Sequence, residues 1–511
     1  MSVVAVVGAG TMGRGIAQVC AAAGLRTLLF DARPGAAKEA FDSIAAALAT
    51  LVSKGRLAEA EAGRSLARLE VVGSIDGLAN ADLAIECISE DLGLKRELFR
   101  RLEATLARDS ILATNTSSLS VTAIAAACAN PERIAGLHFF NPATHMQLVE
   151  VIGGMATSAS TQEALCGLAR RLGKRPVCVS DTPGFLVNHA GRALIPEALR
   201  IISEGIATPE QVDVLLREVA GFRMGPFQLL DLVGADIAYA VMTAIHDQYF
   251  GEPMYQPSYL LAARAAGGVL GRKSGRGFYD YAASTLAPGG KGVGVNSGAP
   301  CRPPPGAALP EEPVWVAERD AELPRRWVDH LRANDIRVSD DPVPPPGAPC
   351  FVAPLGEDCS SAIVRLGLDP RRTLAVDMLV PSPRRITLMR SPLADPEISR
   401  QAEALLQAKG LAATTIKDSP GFVVQRLLAM IVNVGTRIAE LGIAVPADID
   451  VAVEMGLNYP MGPLALGDSL GAQRVLAVLD GMFALTHDPK YRASLWLRRR
   501  AALGCALSTP S

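Results

Sequence analysis

The chain has 511 residues, which is too long for one ordinary domain and predicts roughly two to four domains. Its 50 basic and 52 acidic residues leave a formal net charge of −2, which argues against the basic surface of a nucleic-acid-binding protein. No apolar run approaches the roughly 18 residues that cross a bilayer, so neither a nucleic-acid partner nor a membrane span is expected.

The first predicted elements form a βαβ unit. Val3–Val7 are a continuous apolar run, as is typical of a buried parallel strand, and no basic segment of a secretory signal precedes them. A Gly8-Ala9-Gly10-Thr11-Met12-Gly13 turn leads into a predicted helix, Met12–Ala23, and a second strand, Thr27–Phe30, ends before Asp31. A GxGxxG turn between strand and helix, followed by an acid at the end of the next strand, matches the fingerprint of dinucleotide-binding proteins.

Each glycine of this turn has a separate predicted task. Gly8 permits the tight turn, Gly10 lets the backbone approach a pyrophosphate, and Gly13 lets the helix pack closely on the strand. The first N–H groups of the helix, at Thr11 and Met12, are expected to face the pyrophosphate. The alternative is a structural glycine turn without a ligand.

Asp31 predicts which dinucleotide binds. Its carboxylate can accept hydrogen bonds from both ribose hydroxyls and would repel a 2′-phosphate, which favours NAD over NADP. Arg33, two residues further on, argues slightly the other way.

Further alternating elements predict a doubly wound parallel sheet. A helical hairpin, Ala36–Leu69, interrupts the alternation and is interpreted equally well as a lid or as packing. The remaining predicted elements are one helix, Leu94–Leu106, and four strands, Leu83–Ile88, Ile111–Ala113, Ile134–Phe140 and Leu148–Ile152.

Polar residues follow or lie in the later strands. Asn115-Thr116-Ser117-Ser118 follow one strand, His138 lies near the end of the next, and Glu150 lies in the strand after that. Alcohol oxidation needs a base, and an unperturbed histidine, with a pKa of about 6.5, suits that task. A carboxylate bonded to the far ring nitrogen would fix the tautomer, and hydroxyl and amide donors can hold the alcohol oxygen. The alternative is a core histidine packed beside two phenylalanines.

These motifs resemble those of L-3-hydroxyacyl-CoA dehydrogenases. The glycine turn, Asn115–Ser118, Gly136–Pro142 and Leu148–Val151 occur in the family's order, and so do Asp181–Phe185, Met224–Phe227 and Gly275–Tyr279. The resemblance covers roughly residues 1–282 and part of the C-terminal stretch. It implies NAD-dependent oxidation of an (S)-3-hydroxyacyl-CoA to the 3-oxoacyl-CoA, as in fatty-acid β-oxidation.

The resemblance also implies roles for individual residues. His138 is expected to be the catalytic base and Glu150 its partner, with Ser117 and Asn188 around the substrate oxygen. The positions that match NAD-contacting or neighbouring residues are Glu90, Lys95, Ser117, Asn141 and Lys273. His189 and the stretch 143–147 depart from the family pattern, which leaves the substrate preference open.

An internal repeat predicts the domain organisation. Asp181-Thr182-Pro183-Gly184-Phe185 recurs as Asp418-Ser419-Pro420-Gly421-Phe422, and Met224-Gly225-Pro226 recurs as Met461-Gly462-Pro463, both displaced by 237 residues. We therefore predict an α/β protein with a Rossmann-type NAD-binding domain at 1–180, a helical domain at 181–284, a linker at 285–312, a degenerate α/β domain at 313–416 and a second helical copy at 417–511. Predicted helices of the first copy are Gly184–Glu204, Pro209–Val219 and Pro226–Tyr249.

The second copy is expected to have no chemistry of its own. The degenerate domain lacks the GxGxxG and HFFNP motifs, and Gln425 stands where the first copy has Asn188. We expect the two helical copies to pack as an internal pseudo-dimer that imitates the contact between two chains of shorter relatives. A homo-oligomer of the whole chain is compatible with this.

The nine cysteines are odd in number and never spaced as CxxC. This pattern predicts free thiols in a reducing compartment, here the cytoplasm, and no metal site.

Two other functions remain open beside an acyl-CoA dehydrogenase. One is a crystallin-like structural protein that kept the fold and binds NAD, and the other is a dehydrogenase of a hydroxy acid without coenzyme A. The long format resembles bacterial enzymes that act on 3-hydroxybutyryl-CoA or 3-hydroxyadipyl-CoA.

Overall fold

Two α/β sheets organise the chain, one in each of two units. The computed structural model describes residues 1–281, 309–310, 312–382 and 384–510. The first unit consists of Met1–His189 and Leu441–Asn458, and the second of Ala190–Glu440 and Tyr459–Thr509. The predicted linker lies outside the described residues except at 309–310 and 312.

The first sheet has eight strands in the order β3-β2-β1-β4-β5-β6-β7-β8. All neighbours are parallel except β6 and β7, which are antiparallel. The strands are β1 (Val3–Val7), β2 (Arg26–Phe30), β3 (Leu69–Val71), β4 (Leu83–Glu86), β5 (Ile111–Thr114), β6 (Ile134–Phe139), β7 (Leu148–Gly153) and β8 (Arg175–Ser180). The central strands are buried on both faces, which explains their continuous apolar sequences.

Helices cover both faces of this sheet and form two apolar cores. One core packs side chains of α1, α2, α3 and α6 on the sheet, and the other packs those of α4 and α5 on the opposite face. The helices between residues 1 and 190 are α1 (Thr11–Ala22), α2 (Ala36–Ser53), α3 (Glu59–Ala67), α4 (Leu92–Thr105), α5 (Val121–Ala125), α6 (Ala159–Arg171) and α7 (Val187–Ala190). The predicted doubly wound sheet and helical hairpin are confirmed.

Two long helices predicted in the first helical copy are each broken in two. The predicted helix 184–204 is α7 followed by α8, and the break contains Gly191, where the second copy has Leu428 in a continuous helix. The predicted helix 226–249 is broken at Gly234, whose φ is 103°, and bends by 99°. Glycine favours both breaks because it stabilises helix interiors poorly and accepts positive φ.

The remaining helices of the first copy and the elements of the second sheet lie in the second unit. The helices are α8 (Leu194–Ser203), α9 (Pro209–Glu218), α10 (Pro226–Val233), α11 (Ala235–Gln248) and α12 (Tyr259–Ala266). The sheet is ordered β13-β12-β11-β10-β9, with only β11 and β12 antiparallel. Its elements are β9 (Trp315–Val316), α13 (Glu322–Ala333), β10 (Cys350–Val352), α14 (Cys359–Leu366), β11 (Thr373–Val376), β12 (Arg385–Arg390), α15 (Pro396–Ala408) and β13 (Ala412–Lys417).

The second helical copy contributes to both units. Its helices are α16 (Val423–Glu440), α17 (Pro446–Leu457), α18 (Pro463–Leu470), α19 (Ala472–Thr486) and α20 (Leu495–Leu503). Only the segment with α17 belongs to the first unit. Among the described residues no single helix is long and apolar enough to span a membrane, and only α10 and α11 taken together pass that test.

The repeat extends further back than the sequence indicated. Strands β7 and β8 and helix α6 recur as β12, β13 and α15, each displaced by 237 residues. The strand register recurs too, because Leu148 pairs with Arg175 in one sheet and Arg385 with Ala412 in the other. The degenerate domain is therefore a copy of the β4–β8 half of the first sheet, without the half that carries the glycine turn.

The cysteines include one close pair that the sequence did not predict. The structure describes eight cysteines, all as free thiols, and Cys301 lies outside the described residues. The Sγ atoms of Cys166 on α6 and Cys178 on β8 are 3.4 Å apart. No group of three or more histidine, cysteine or acidic side chains suited to a metal ion occurs in the described part of the chain.

Candidate active site

The glycine turn joins β1 to α1 as the sequence predicted. Gly8 has φ 104°, and a Cβ built there would lie 2.6 Å from the carbonyl oxygen of Cys87. A Cβ on Gly13 would lie 1.8 Å from the oxygen of Gly8. A side chain at Gly8 would therefore collide with the backbone after β4, and one at Gly13 would separate α1 from the turn.

Gly10 differs from the other two glycines because it faces open space. A Cβ built on Gly10 meets no atom within 4 Å, so a side chain here would enter the volume before the helix. No acidic residue lies in the first turn of α1, and no side chain caps it. Free N–H groups beside an open volume fit a pyrophosphate.

Asp31 lies at the end of β2 beside this turn. One carboxylate oxygen accepts the N–H of Ala9 at 2.7 Å, and the other accepts that of Arg33 at 2.8 Å. A cavity of about 550 Å³ adjoins it, lined among others by Gly8, Gly10 and Ile88. An acid held at the mouth of a cavity of this size fits the adenosine half of a dinucleotide.

His138 and Glu150 meet across the antiparallel pair β6 and β7. They are register partners, and His138 Nδ1 lies 2.7 Å from Glu150 Oε2. Glu150 Oε1 accepts the backbone N–H groups of Leu186 at 3.1 Å and Val187 at 2.9 Å. Both side chains are buried.

This arrangement suits one tautomer of the imidazole. An ionised Glu150 is an acceptor at both oxygens, with Oε1 taking the two backbone N–H groups and Oε2 facing the ring. Opposite such a carboxylate His138 donates from Nδ1, which leaves the Nε2 lone pair available as a base. The ring also packs against Phe140 at 4.5 Å and Phe185 at 5.9 Å between centroids.

Ser117, in the turn after β5, and Asn188, on α7, lie close together. Asn188 Nδ2 lies 3.5 Å from the backbone oxygen of Ser117, at the outer limit of a hydrogen bond. Glu90 accepts from the backbone N–H of Ser117 and Ser118 and from the Thr116 hydroxyl. Glu90 therefore holds the turn that presents Ser117.

Lys95 lies beneath this turn and is almost wholly enclosed, with 1% of its side chain exposed. Its ammonium pairs with Glu86 at 2.6 Å and with Glu90 at 3.2 Å. Burial raises the pKa of Glu90, but the Thr116 hydrogen bond and the Lys95 charge outweigh it and lower that pKa. The sequence analysis did not identify Glu86 as part of this site, because it lies in the otherwise apolar strand β4. Its charge in a buried strand was the one signal that could have indicated a buried partner.

Two predicted cofactor residues have no hydrogen bond or ion pair with this group in the described part of the chain. Asn141 is exposed directly after β6 and precedes a cis proline. Lys273 belongs to the second unit, where it forms an ion pair with Asp236 at 2.5 Å.

The second copy has replaced the polar pair. The displacement of 237 puts Thr387 in the place of Glu150. Asp377 lies opposite Thr387 in the strand register, as His138 lies opposite Glu150, so Asp377 takes the place of His138 by register and not by the displacement. Gln425, in the place of Asn188, is buried and bonds to Asp377, Gly356 and Pro354. Burial raises the pKa of Asp377 to about 6. The side chain of Gln425 is fully buried and its polar atoms are bonded within this cluster, so it belongs to the core of the second copy.

Two family models match the chain. The model of the 3-hydroxyacyl-CoA dehydrogenase NAD-binding domain matches residues 3–182. The model of the 3-hydroxyacyl-CoA dehydrogenase C-terminal domain matches twice, at residues 184–281 and 421–507. The second match coincides with the repeat.

Several known proteins are similar to the chain. A 3-hydroxyadipyl-CoA dehydrogenase of Escherichia coli K12 is 38% identical over 98% of this chain and 97% of its own. A probable 3-hydroxybutyryl-CoA dehydrogenase of Bacillus subtilis is 40% identical over 55% of this chain and 97% of its own. The crystal structure of a 3-hydroxybutyryl-CoA dehydrogenase from E. coli K12 matches with a TM-score of 0.83 and 37% identity, over 98% of both chains.

Proposed function

The chain belongs to the 3-hydroxyacyl-CoA dehydrogenase family, and we propose that His138 and Glu150 perform its proton transfer. The protein is an NAD-dependent enzyme that oxidises 3-hydroxyacyl-CoA to 3-oxoacyl-CoA. The observation that carries the proposal is the buried 2.7 Å contact between His138 Nδ1 and Glu150 Oε2, which leaves His138 Nε2 as the basic nitrogen.

In this proposal bound NAD would supply the hydride acceptor for the oxidation at carbon 3 of the substrate. His138 Nε2 takes the hydroxyl proton, and the charge that forms on the ring is stabilised by Glu150. Ser117 and Asn188 donate hydrogen bonds to the oxygen that becomes the carbonyl. The glycine turn and Asp31 would hold the dinucleotide, and Glu90 and Lys95 would support the turn of Ser117. Asn141 and Lys273 are proposed as contacts of the dinucleotide from the family resemblance alone.

We propose a short 3-hydroxyacyl-CoA as substrate, in a cytoplasmic pathway of acyl-chain degradation. Two similar proteins that span almost the whole chain are named for the 3-hydroxyadipyl and 3-hydroxybutyryl thioesters. We expect NADH to form with both thioesters, with a higher kcat/KM than for 3-hydroxydecanoyl-CoA. Turnover of free 3-hydroxybutyrate at a comparable rate would favour a dehydrogenase of free hydroxy acids, and no turnover of any of these would favour a structural protein.

Asp31→Ala should weaken NAD binding and relax the exclusion of NADP. A hydrogen bond to a charged group contributes about 1.5–3 kcal/mol, so we expect the KM for NAD to rise roughly 10- to 100-fold. The KM for NADP should fall, because the repelling charge is gone. Asp31→Asn is the matched variant, since it removes the charge and keeps an acceptor oxygen. A wild-type preference for NADP would contradict the role given to Asp31.

We further propose that the helical copies form an internal pseudo-dimer. Phe222 and Tyr459 occupy equivalent positions of the repeat, and their rings lie 5.0 Å apart. Residues that meet their own equivalent lie on the axis of an isologous contact. A similar pair of contacts also supports this axis: Arg200 forms an ion pair with Asp488, and its equivalent, Arg437, lies 4.0 Å from Glu252, one residue beyond the equivalent of Asp488.

The copies also exchange backbone contacts with the opposite sheets. In the second unit the N–H of Lys417, at the end of β13, donates to the oxygen of Ile206 in the first helical copy at 3.1 Å. In the first unit the N–H of Ser180, at the end of β8, donates to the oxygen of Ile443 in the second copy at 2.9 Å. Both pairs of residues are related by the displacement of 237, as a pseudo-dimer requires.

A buried ion network joins the copies within the second unit. Glu197 of α8 is fully buried and pairs with Arg426 at 2.8 Å and Lys490 at 2.6 Å, both from the second copy. The Tyr491 hydroxyl also donates to Glu197 at 3.0 Å. Burial would raise the pKa of Glu197, but the charges of Lys490 and Arg426 outweigh it and hold that pKa well below its usual range.

Glu197→Gln should lower the free energy of unfolding of the second unit by about 3–5 kcal/mol, because it leaves buried cations uncompensated. The folded carboxylate has a lowered pKa, so its contribution is complete above about pH 4.3 and is lost as the pH falls below that value. The variant should lose this acid-dependent part of its stability. All three tryptophans lie in the second unit, so urea unfolding followed by tryptophan fluorescence measures the effect there.

Asp340→Asn serves as the control for this experiment. Asp340 is exposed and pairs with Arg332 at the surface, so its replacement should change the free energy of unfolding by less than about 1 kcal/mol. Equal effects of the two substitutions would contradict the proposed contact.

A further inference from the structure

A cavity of about 550 Å³ lies in the second unit at the carboxyl ends of β12 and β13. One wall is the segment Gly205–Thr208 with Gln211 of α9, and the other is α15. The volume is that of a small-molecule site, and the carboxyl edge of strands is where open α/β sheets bind ligands. None of the residues assigned to catalysis or to NAD lines this cavity.

Two unpaired cations face the cavity from neighbouring strands. Arg390 ends β12, Lys417 ends β13, and the two residues are register partners. Neither side chain forms a hydrogen bond or ion pair with any residue in the described part of the chain. Like charges this close along a sheet edge repel each other, and a bound anion would relieve that repulsion. Arg400 of α15 adds a third positive charge and is paired with Glu397, which does not line the cavity.

Other lining groups complete a polar site. Glu403, the only acid among the lining residues, accepts a hydrogen bond from the hydroxyl of Thr415. The Ser399 hydroxyl is buried and has no hydrogen-bond partner among the described residues. Three cations and one acid leave a formal charge of +2, which matches the charge of a phosphate group near neutral pH.

The first unit shows that the repeat does not by itself require these charges. The residues at the equivalent positions, displaced by 237, are Gly153 for Arg390, Glu163 for Arg400 and Ser180 for Lys417. The first copy therefore has no cation at any of the three positions and an acid at one.

The space is also particular to the second copy. In the first unit Gln162 covers the end of β7, since a Cβ built on Gly153 would lie 1.7 Å from Gln162 Nε2. The equivalent of Gln162 is Ser399, whose side chain is shorter and leaves the end of β12 uncovered. Three positive charges and the space between them thus occur together, in the copy that lacks the His138–Glu150 pair.

We propose that this cavity binds a small phosphorylated molecule. Arg390 and Arg400 would contact phosphate oxygens through their guanidinium groups, and Lys417 would act as a point charge. A volume of about 550 Å³ leaves room for an organic group attached to the phosphate. The binding would be separate from the dehydrogenase site, so it does not depend on the catalytic roles given to His138 and Glu150.

Calorimetric titration of the full chain with inorganic pyrophosphate and with ribose 5-phosphate tests this site. NADH is kept at saturation so that the pyrophosphate position at the glycine turn is taken. We expect both probes to bind the wild type, and tighter binding of ribose 5-phosphate would indicate an organic phosphate as the ligand. The double variant Arg390→Ala/Lys417→Ala should bind each probe at least about tenfold more weakly, as expected for lost hydrogen bonds to a charged group.

The control is a double variant that removes one arginine and one lysine at the amino ends of β12 and β13, away from the cavity at their carboxyl ends. Arg384 and Lys409 are exposed and precede β12 and β13, so Arg384→Ala/Lys409→Ala should leave phosphate affinity unchanged. Both double variants should keep the wild-type dehydrogenase rate measured without phosphate. If Arg390→Ala/Lys417→Ala does not fold, Arg390→Gln alone should still weaken binding. Equal weakening in both double variants, or no binding to the wild type at low ionic strength, would overturn the proposal.

Discussion

His138→Gln is expected to lower kcat by roughly 10²- to 10⁴-fold, the usual contribution of a general base. The imidazole is held by Glu150 with its Nδ1 hydrogen committed, so Nε2 alone can accept the substrate proton. Glutamine offers no basic nitrogen in its place. NADH binding should be retained, since His138 lies on β6 and takes no part in the glycine turn. Stopped-flow NADH formation gives kcat, and NADH fluorescence gives the affinity.

His145→Gln is the matched control for this variant. His145 is an exposed histidine of the same unit whose ring contacts Thr144 at 2.9 Å. It should keep near-normal turnover. If His138→Gln turned over as fast as this control, another group would have to be the base.

The parts of the fold that follow simple local rules could be predicted from the sequence. Strands β1, β4 and β6 are buried on both faces, so their sequences are continuous apolar runs. The glycine turn is specified by sterics, as the close approaches at Gly8 and Gly13 illustrate. Fold class, cofactor and reaction followed from such segments together with the family motifs.

Helix breaks could not be read from apolar periodicity alone. The pattern continues through Gly191 and Gly234, yet the chain turns at both. A single glycine costs a helix about 1 kcal/mol, which tertiary packing can either override or exploit. The sequence contains the residue but not the packing that decides its effect.

The repeated sheet was recognised only in part because its buried polar residues changed. Glu150 became Thr387 and His138 became Asp377, so no motif remained to align β7 with β12. Lys95 and Glu86 were obscured for a related reason, since an ion pair nine residues apart has no characteristic spacing. Contacts between distant elements, such as Cys166 with Cys178, need the fold itself.

Glu150→Gln should be almost as damaging as loss of the base, because an amide cannot replace a carboxylate that accepts on both sides. If the amide oxygen faces the N–H groups of Leu186 and Val187, the amide NH₂ must donate to His138 Nδ1. That contact forces the ring hydrogen onto Nε2, where the base is needed. A wrong tautomer of this kind costs up to about 10⁴-fold in the best-studied triads.

The opposite orientation of the amide is also unfavourable. The oxygen would then face His138 correctly, but the NH₂ would oppose two buried N–H donors, each costing about 1–3 kcal/mol when left unsatisfied. We therefore expect a large fall in kcat with little change in NADH affinity. Glu163→Gln, at an exposed position of α6, should have no effect on either quantity. Near-normal turnover of Glu150→Gln would mean that another group, and not this carboxylate, holds His138 in its basic tautomer.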